Sequence, residues 1–227
     1  VFATFAKNYL ARNTSNPTFS NGGTTIGSGG DSGSFAGAIA PTTGKYYWEV
    51  KIVNANNSRR IGIIRSDATN TNSSTGFQIG GASGSTTIWT ASYDGVNGYI
   101  IHRDGVTRTQ LGTTYATYTT NDIIGVAMDL TNSKLYFSKN GTFQNSGDPT
   151  SGATGTGAIS IVSGHSYLAS FAHYNTMVDS INFGNGFFGV TAVASSNADA
   201  AGHGLFEYAV PTGYFTLNTK NLNTYGG

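Results

Sequence analysis

The 227 residues are enough for one large all-β domain with a sizeable core, and 38% hydrophobic with 12% aromatic residues excludes disorder by composition. Only 10% of the residues are charged and the net charge is +1, with no basic run longer than Arg59-Arg60, which argues against nucleic acid as a partner. No apolar stretch approaches the ~20 residues of a membrane span, so we expect no membrane insertion. Without cysteine the chain has no disulfide and no thiolate metal site.

Short β-branched and aromatic runs alternate with glycines along the chain, which has 32 Gly and only 4 Pro. This pattern is typical of many short strands joined by tight turns. The only candidate for a helical turn is 191–202, so we predict an all-β fold with little or no helix, built as an antiparallel β-sandwich. The predicted strands, in chain order, cover residues 46–53, 60–64, 123–130, 134–138, 167–172 and 180–183.

The first predicted strand has two different faces, because successive side chains of a strand point to opposite sides. One face is apolar and the other is mixed, which predicts a sheet with one side in water. The apolar face carries Tyr46, Trp48, Val50 and Ile52, and the mixed face carries Tyr47, Glu49 and Lys51.

Turns and loops are predicted from Gly, Asn and Ser. Residues 121–144 read as two strands joined by a turn at 129–133, with a second turn at Lys139-Asn140-Gly141, where Asn-Gly permits positive φ. We expect Lys139 to keep this second turn in water. The Gly-rich stretches 21–33 and 147–157 are predicted to be long loops.

Four ordered motifs resemble the SPRY domain family: "GKYYWEVKI" (44–52), "IGI" (61–63), "DIIGVAMDLTNSKLYFSKNGT" (122–142) and "SINFG" (180–184). With "FAT" (2–4), "SNGG" (20–23) and "VPTGYFTLNTKNL" (210–222), the chain is most similar to SPRY-like modules of bacteriophage structural and tail proteins. The resemblance implies a concanavalin-like sandwich of two antiparallel sheets. It also implies a binding and architectural module, with no catalytic residues.

The same resemblance sets the expected domain organisation. Residues 1–227 would form a single SPRY-like domain, with 1–40 as N-terminal strands and loops and 188–206 as a surface insertion. The initial Val and the linker-like end "NTYGG" favour a module of a longer chain.

Catalytic carboxylates are scarce. A glycoside hydrolase needs two carboxylates across a cleft, and the chain has only two glutamates, Glu49 and Glu207. We interpret Glu49 as a solvated or salt-bridged strand residue and predict that the chain is not an enzyme. Turn capping explains the aspartates beside turn residues, which are Asp94, Asp104, Asp122 and Asp148.

The four histidines do not indicate a metal site, because no two have the close spacing of a metal-binding pair. We therefore predict no metal and no cofactor. His173, at the end of a strand, is interpreted as a structural histidine, and "GHS" at 164–166 lacks the G-x-S-x-G pattern of a nucleophile elbow. The other three are His102, His165 and His203.

The clearest binding signal lies in residues 87–105, where aromatic and polar residues are interleaved. Saccharide recognition uses flat aromatic faces together with amides or carboxylates that fix the hydroxyl groups. Core packing is the competing interpretation for Trp89, since aromatics dominate sandwich cores, while Tyr93 and Asn97 would form a surface site. The candidate ligand-binding residues are Trp89, Tyr93, Asp94, Asn97, Tyr99 and His102.

Two functions from different classes fit these observations. The first is a structural or adhesive module of a phage virion, in a tail fibre, tail-associated or capsid-decorating protein, located on the virion outside the cell. Its partners would be other virion proteins, further copies of itself (a trimer in a fibre) or a host-surface glycan. The alternative is a secreted lectin or glycoside hydrolase on the same sandwich, which would need a carboxylate pair or a calcium site.

Overall fold

The computed structural model describes residues 1–11, 18–28, 33–55, 59–68, 89–105, 107–111, 115–173 and 175–226. Its strands are β1 (Phe5–Ala11), β2 (Thr18–Ser20), β3 (Thr25–Ser28), β4 (Gly33–Gly37), β5 (Lys45–Asn54), β6 (Arg59–Arg65), β7 (Trp89–Asp94), β8 (Ile100–Asp104), β9 (Thr107–Leu111), β10 (Ile123–Asp129), β11 (Lys134–Lys139), β12 (Thr142–Phe143), β13 (Ile159–Ser160), β14 (Tyr167–His173), β15 (Met177–Asn182), β16 (Phe187–Phe188), β17 (Thr191–Ala192) and β18 (Phe215–Thr216).

Helical structure is short. The α-helix α1 spans Thr219–Tyr225, and its start is capped by the Asn218 side chain, which accepts a hydrogen bond from the Asn221 amide. Within the described ranges, no helix has the length and hydropathy needed to cross a membrane. Single 3₁₀ turns occur at Asn21–Gly23, Gln144–Ser146 and Gly152–Thr154.

Two large sheets form the sandwich, which confirms the predicted fold class. The first sheet has the order β1-β4-β14-β6-β7-β8-β9, and the second has the order β12-β11-β10-β5-β15-β3-β2. Two short strands extend the second sheet, β13 beside β11 and β18 beside β5, and the β18–β5 pairing is parallel. A small hairpin, β16–β17, forms a separate two-stranded sheet.

The core lies between the two sheets and is filled by every second residue of their strands. From β5, Trp48, Val50 and Ile52 are completely buried there. Opposite them, the first sheet contributes side chains such as Ile63 and Phe171. Since burying one large apolar side chain contributes about 1.5–3 kcal/mol, this double layer is the main source of stability.

All six predicted strands are present as β5, β6, β10, β11, β14 and β15, and both predicted turns are confirmed by positive φ at Ser133, Asn140 and Gly141. Residues 147–157 form a loop with one 3₁₀ turn, as predicted.

Three expectations were wrong. Residues 191–202 contain β17 rather than a helical turn, 21–33 contain β3, and the end interpreted as a linker contains α1.

The outer face of β5 is only partly in water, which contradicts the expected wet side. Tyr47 and Glu49 are at most 1% exposed, because the chain after β15 crosses this face and packs Phe206 and Tyr214 against it. Lys51 alone of the three predicted mixed-face residues retains an accessible surface. The sequence pattern found the two faces correctly but could not show that a distant segment covers one of them.

We expect Phe171→Ala to lower the free energy of unfolding by about 3–5 kcal/mol, because it removes a fully buried ring that packs edge-on against Phe5 at 4.8 Å. Urea denaturation followed by fluorescence would measure the change. Val190→Ala is the control, since Val190 is 84% exposed and should change stability by less than about 0.5 kcal/mol. Equal effects of the two substitutions would contradict this description of the core.

Candidate interaction surface

The predicted ligand-binding residues lie on the β7–β8 hairpin, and two of the three aromatic ones point inward. Trp89 is 3% exposed and packs against Tyr167 and His102, with ring centroids 5.3 and 4.7 Å away. Tyr93 is completely buried among the rings of other tyrosines. Trp89 therefore packs in the core, and neither the Trp89 ring nor the Tyr93 ring is accessible to a saccharide.

Asp94 organises the turn that follows β7. It is 2% exposed, and its Oδ1 accepts hydrogen bonds from the backbone amides of Val96 and Asn97, each at 3.1 Å. Its Oδ2 lies 3.1 Å from Nε of Arg60, in a largely buried ion pair. Asp94 is therefore a turn cap, as the sequence predicted, and it holds Asn97 at the surface.

The remaining candidate residues differ in exposure. Asn97 is exposed, whereas Tyr99 and His102 are half-buried. Burial lowers the pKa of His102, whose ring packs against Trp89, and this favours the neutral imidazole. Of the six predicted residues, Asn97 is thus the one whose position suits contact with a partner, and Asp94 holds it in place.

A second loop, residues 115–122, is bonded to this turn. The amides of Tyr115 and Tyr118 donate to the carbonyls of Gly98 and Gly95, at 3.0 and 2.9 Å. Gly98 has a φ of +68°, and a Cβ there would lie 2.0 Å from the Tyr115 carbonyl oxygen, so only glycine fits this approach. The two loops are therefore fixed against each other.

Buried tyrosines support these loops from below. Tyr118 is 1% exposed, and its hydroxyl donates to the carbonyl of Tyr93 at 3.0 Å. The hydroxyl of Tyr93 in turn donates to the carbonyl of Ala116. A third turn, at Lys139-Asn140-Gly141, joins them, because the Asn140 side chain donates to Asp122 at 2.8 Å. Together the two loops and this turn form an end of the sandwich that we call the apical surface, whose exposed side chains are Val96, Asn97, Ala116, Thr117, Thr119, Thr120, Asn121 and Asn140.

Charges at the apical surface are paired. Lys139 lies 3.1 Å from Asp122 and donates to the carbonyl of Thr117, so it is half-buried, not free in water as expected. The pKa of Asp122 is lowered: partial burial opposes the shift, and hydrogen bonds to the carboxylate, first from the Thr119 amide, outweigh it. The exposed groups are therefore amides, hydroxyls, one valine and one alanine. Sequence reasoning missed the threonines, whose only signal was their interleaving with Tyr115 and Tyr118.

Glu49 lies on the outer face of the second sheet, where its carboxyl group contacts the backbone of Glu207. Glu49 is completely buried, and its carboxyl oxygens accept hydrogen bonds from the amides of Glu207 and Tyr208 at 2.9 and 2.8 Å. The Tyr47 hydroxyl donates to it at 3.2 Å, and the Asn182 amide lies 3.5 Å away. Glu49 is thus neither solvated nor salt-bridged, which corrects the sequence interpretation.

Asn182 extends this anchor. Its Oδ1 accepts from the amides of Gly184 and Gly186, and its Nδ2 donates to the carbonyl of Leu205 at 2.8 Å. Together Glu49 and Asn182 fasten the segment 184–208 to the sheet. With every oxygen occupied and no exposed surface, Glu49 is positioned for support and not for attack on a substrate.

The histidines also have structural surroundings. His173 is 2% exposed, its Nε2 lies 2.6 Å from Oδ2 of the buried Asp179, and its ring packs against Phe35. His203 bonds to Asn221 through Nδ1. In the part of the chain that the structure describes, no group of three or more His, Asp or Glu side chains is placed to hold a metal ion.

Comparison with known proteins identifies the family. A sequence model of the SPRY domain matches residues 45–167, more than half of the chain. The chain belongs to the SPRY domain family. SPRY domains are protein–protein interaction modules, and the matched range contains all three turns of the apical surface.

Solved structures agree on the fold. The SPRY domain of human HERC1 has a TM-score of 0.54 and 18% identity, over 78% of this chain and 96% of that one. The PSpry domain of TRIM65 has a TM-score of 0.53 and 11% identity, over 80% of this chain and 89% of that one. Among curated proteins, none matches the sequence significantly.

We expect Glu49 to make stability depend on pH. Burial raises its pKa from 4.5 to about 7, although its hydrogen bonds oppose the shift. The folded state therefore binds more protons than the unfolded state between pH 4.5 and 7, and stability from this group is lost as pH rises through 7. The change totals about 3 kcal/mol.

Denaturation of the wild type and of Glu49→Gln at pH 5 and pH 8 would measure this contribution, since the variant should lack it. Tyr47→Phe is the control, because it keeps the carboxyl group and should keep the pH dependence. Identical pH dependence in the wild type and Glu49→Gln would contradict the burial of an ionisable Glu49.

We expect Asp94→Ala to loosen the apical surface, because the Val96 and Asn97 amides and the Arg60 guanidinium lose their acceptor. Stability should fall by about 2–4 kcal/mol. Hydrogen exchange by NMR should speed up first at the amides of residues 96 and 97. Asp104→Ala changes an exposed residue at the opposite end of the same hairpin and should have little effect. Unchanged exchange at 96 and 97 would disprove the capping role.

Proposed function

We propose that this SPRY domain is a non-enzymatic adhesive module of a bacteriophage virion, acting outside the host cell and binding its partner through the apical surface. The observation that carries the proposal is a surface whose loops are hydrogen-bonded to each other and whose exposed groups are uncharged. The motifs at 2–4, 20–23 and 210–222 support the phage assignment, because they resemble SPRY-like modules of phage tail proteins.

The chemistry of the apical surface favours a partner rich in hydrogen-bonding groups and poor in net charge. Its Asn and Thr side chains offer both donors and acceptors, while Asp122 and Lys139 neutralise each other. Because the loops are already ordered by Tyr93 and Tyr118, little conformational entropy is lost on binding. A neighbouring virion protein is the first candidate, since the family binds proteins.

A host-surface glycan is the second candidate partner, supported by the exposed amide of Asn97. It has weaker support than a protein, since Trp89 and Tyr93 are buried and only the half-buried Tyr99 offers an aromatic face nearby. A hydrolase has no support from Glu49, which is inaccessible to substrate.

The virion assignment is tested by mass spectrometry of phage particles purified from the source culture. We expect peptides of this chain in the particle fraction after density-gradient centrifugation. Their presence in the soluble cell fraction alone would refute a virion role and leave the secreted lectin to be considered.

Partner binding at the apical surface is tested with Asn97→Lys and Thr119→Lys. Each places an unpaired charge in a neutral surface without touching the core, so binding to purified virion proteins, host cells or a glycan panel should weaken at least about tenfold, or about 1.4 kcal/mol. The matched control is Asn223→Lys on α1, which is exposed away from this surface. Equal affinity for all three variants would place the binding surface elsewhere.

A further inference from the structure

A groove lies on the outer face of the second sheet, beside the β16–β17 hairpin. Its volume is about 350 Å³, and it is open to solvent. The segment fastened by Glu49 covers one part of this face and leaves the part over β3, β15 and β5 free. The groove lies partly outside residues 45–167, because the hairpin that forms its wall follows β15.

Two rows of side chains form the floor of the groove. One row is polar: Lys51 is paired in register with Ser180, and Ser180 with Thr25, whose hydroxyls lie 3.1 Å apart. The neighbouring row is apolar and contains Val53 and Val178. The sheet therefore presents a polar strip and an apolar strip side by side.

Among the described residues that line the groove, Lys51 alone is charged. Within the described residues, no carboxylate lies within salt-bridge distance of its ammonium group, which sits 5.9 Å from the centre of the Phe188 ring. Such a lysine attracts a carboxylate from outside the chain. Charge complementarity thus points to an acidic occupant.

The apolar groups of the groove favour an aliphatic neighbour for that carboxylate. Val53 is 43% exposed, and Val190 on the hairpin is 84% exposed. The ring of Phe188 is only 5% exposed, so the groove lacks the open aromatic face on which a sugar would stack. An acidic peptide fits this lining better than an acidic saccharide.

The positions of Lys51 and Val53 suit an extended peptide. They are two residues apart on β5 and both line the groove, although the register of β5 with β15 shifts at Val53, which is the extra residue between Ile52 and Asn54. Two side chains at positions i and i+2 of an extended partner segment likewise lie on one face, about 6.5–7 Å apart. A segment with an aliphatic residue two positions from Asp or Glu would oppose both groups at once.

We propose that this groove is a second docking site, which takes an extended acidic segment of a protein partner. The carboxylate pairs with Lys51, and the aliphatic side chain two positions away packs on Val53, Val178 and Val190. The groove meets the apical surface at Asn121, which belongs to both, so one partner could span the two. The proposal does not depend on the phage assignment.

The test is an NMR titration of the ¹⁵N-labelled full chain with two blocked hexapeptides, Thr-Val-Thr-Glu-Thr-Val and the same sequence with Gln in place of Glu. We expect the amides around Lys51, Val53 and Val178 to shift with both peptides. At low salt the Glu peptide should bind about threefold more tightly, the effect of one exposed ion pair.

Substitutions assign the two contacts. Lys51→Met should abolish the preference for the Glu peptide and keep the affinity for the Gln peptide, whereas Val178→Asn should weaken both. Lys220→Met on α1 is the matched control and should change neither. The absence of shifts in the groove, or a Glu preference that survives in Lys51→Met, would overturn the proposal. Shifts there with an acidic saccharide but with neither peptide would overturn it as well.

Discussion

One buried carboxyl group determines how the outer face of this domain is divided. Glu49 points away from the sandwich core, yet it is completely buried, and removing a charge from water is unfavourable unless donors replace the lost hydration. The amides of Glu207 and Tyr208 supply those donors, and Asn182 holds the start of the same segment. Because these bonds must form together, the segment 184–208 has one position on the sheet.

The position of that segment creates both a covered and an uncovered region. Phe206 and Tyr214 complete a second, smaller apolar cluster over Tyr47, so part of the outer face behaves as interior. The β16–β17 hairpin ends up beside the rest, where it forms one wall of the groove. The division of this outer face therefore follows from the hydrogen bonds that the buried Glu49 carboxyl group requires. Its amide donors, Glu207 and Tyr208, lie more than 150 residues away in sequence.

The apical surface depends on a different set of interactions, in which buried side chains again hydrogen-bond to backbone groups of other segments. The rings of Tyr93 and Tyr118 pack in the core. The Tyr93 hydroxyl donates to the loop carbonyl of Ala116 and the Tyr118 hydroxyl to the β7 carbonyl of Tyr93, while Asp94 caps the turn that carries Asn97. Aromatic residues that suggested a ligand contact thus act one layer below the surface. With Asp122 and Lys139 paired, the apical surface that we propose for partner binding carries no unpaired charge among its exposed residues.

The sequence by itself determined the strands with clear alternation, the Asn-Gly turns, the family and the capping role of Asp94, because these depend on local periodicity, backbone conformation and ordered motifs. It missed short strands such as β2 and β3, whose few residues carry no detectable period. Only the tertiary structure decided which face of β5 meets water, where Trp89 and Tyr93 point, and that Glu49 meets Glu207. Those outcomes depend on contacts between segments distant in sequence, and local pattern carries no information about which distant segment will cover a given face.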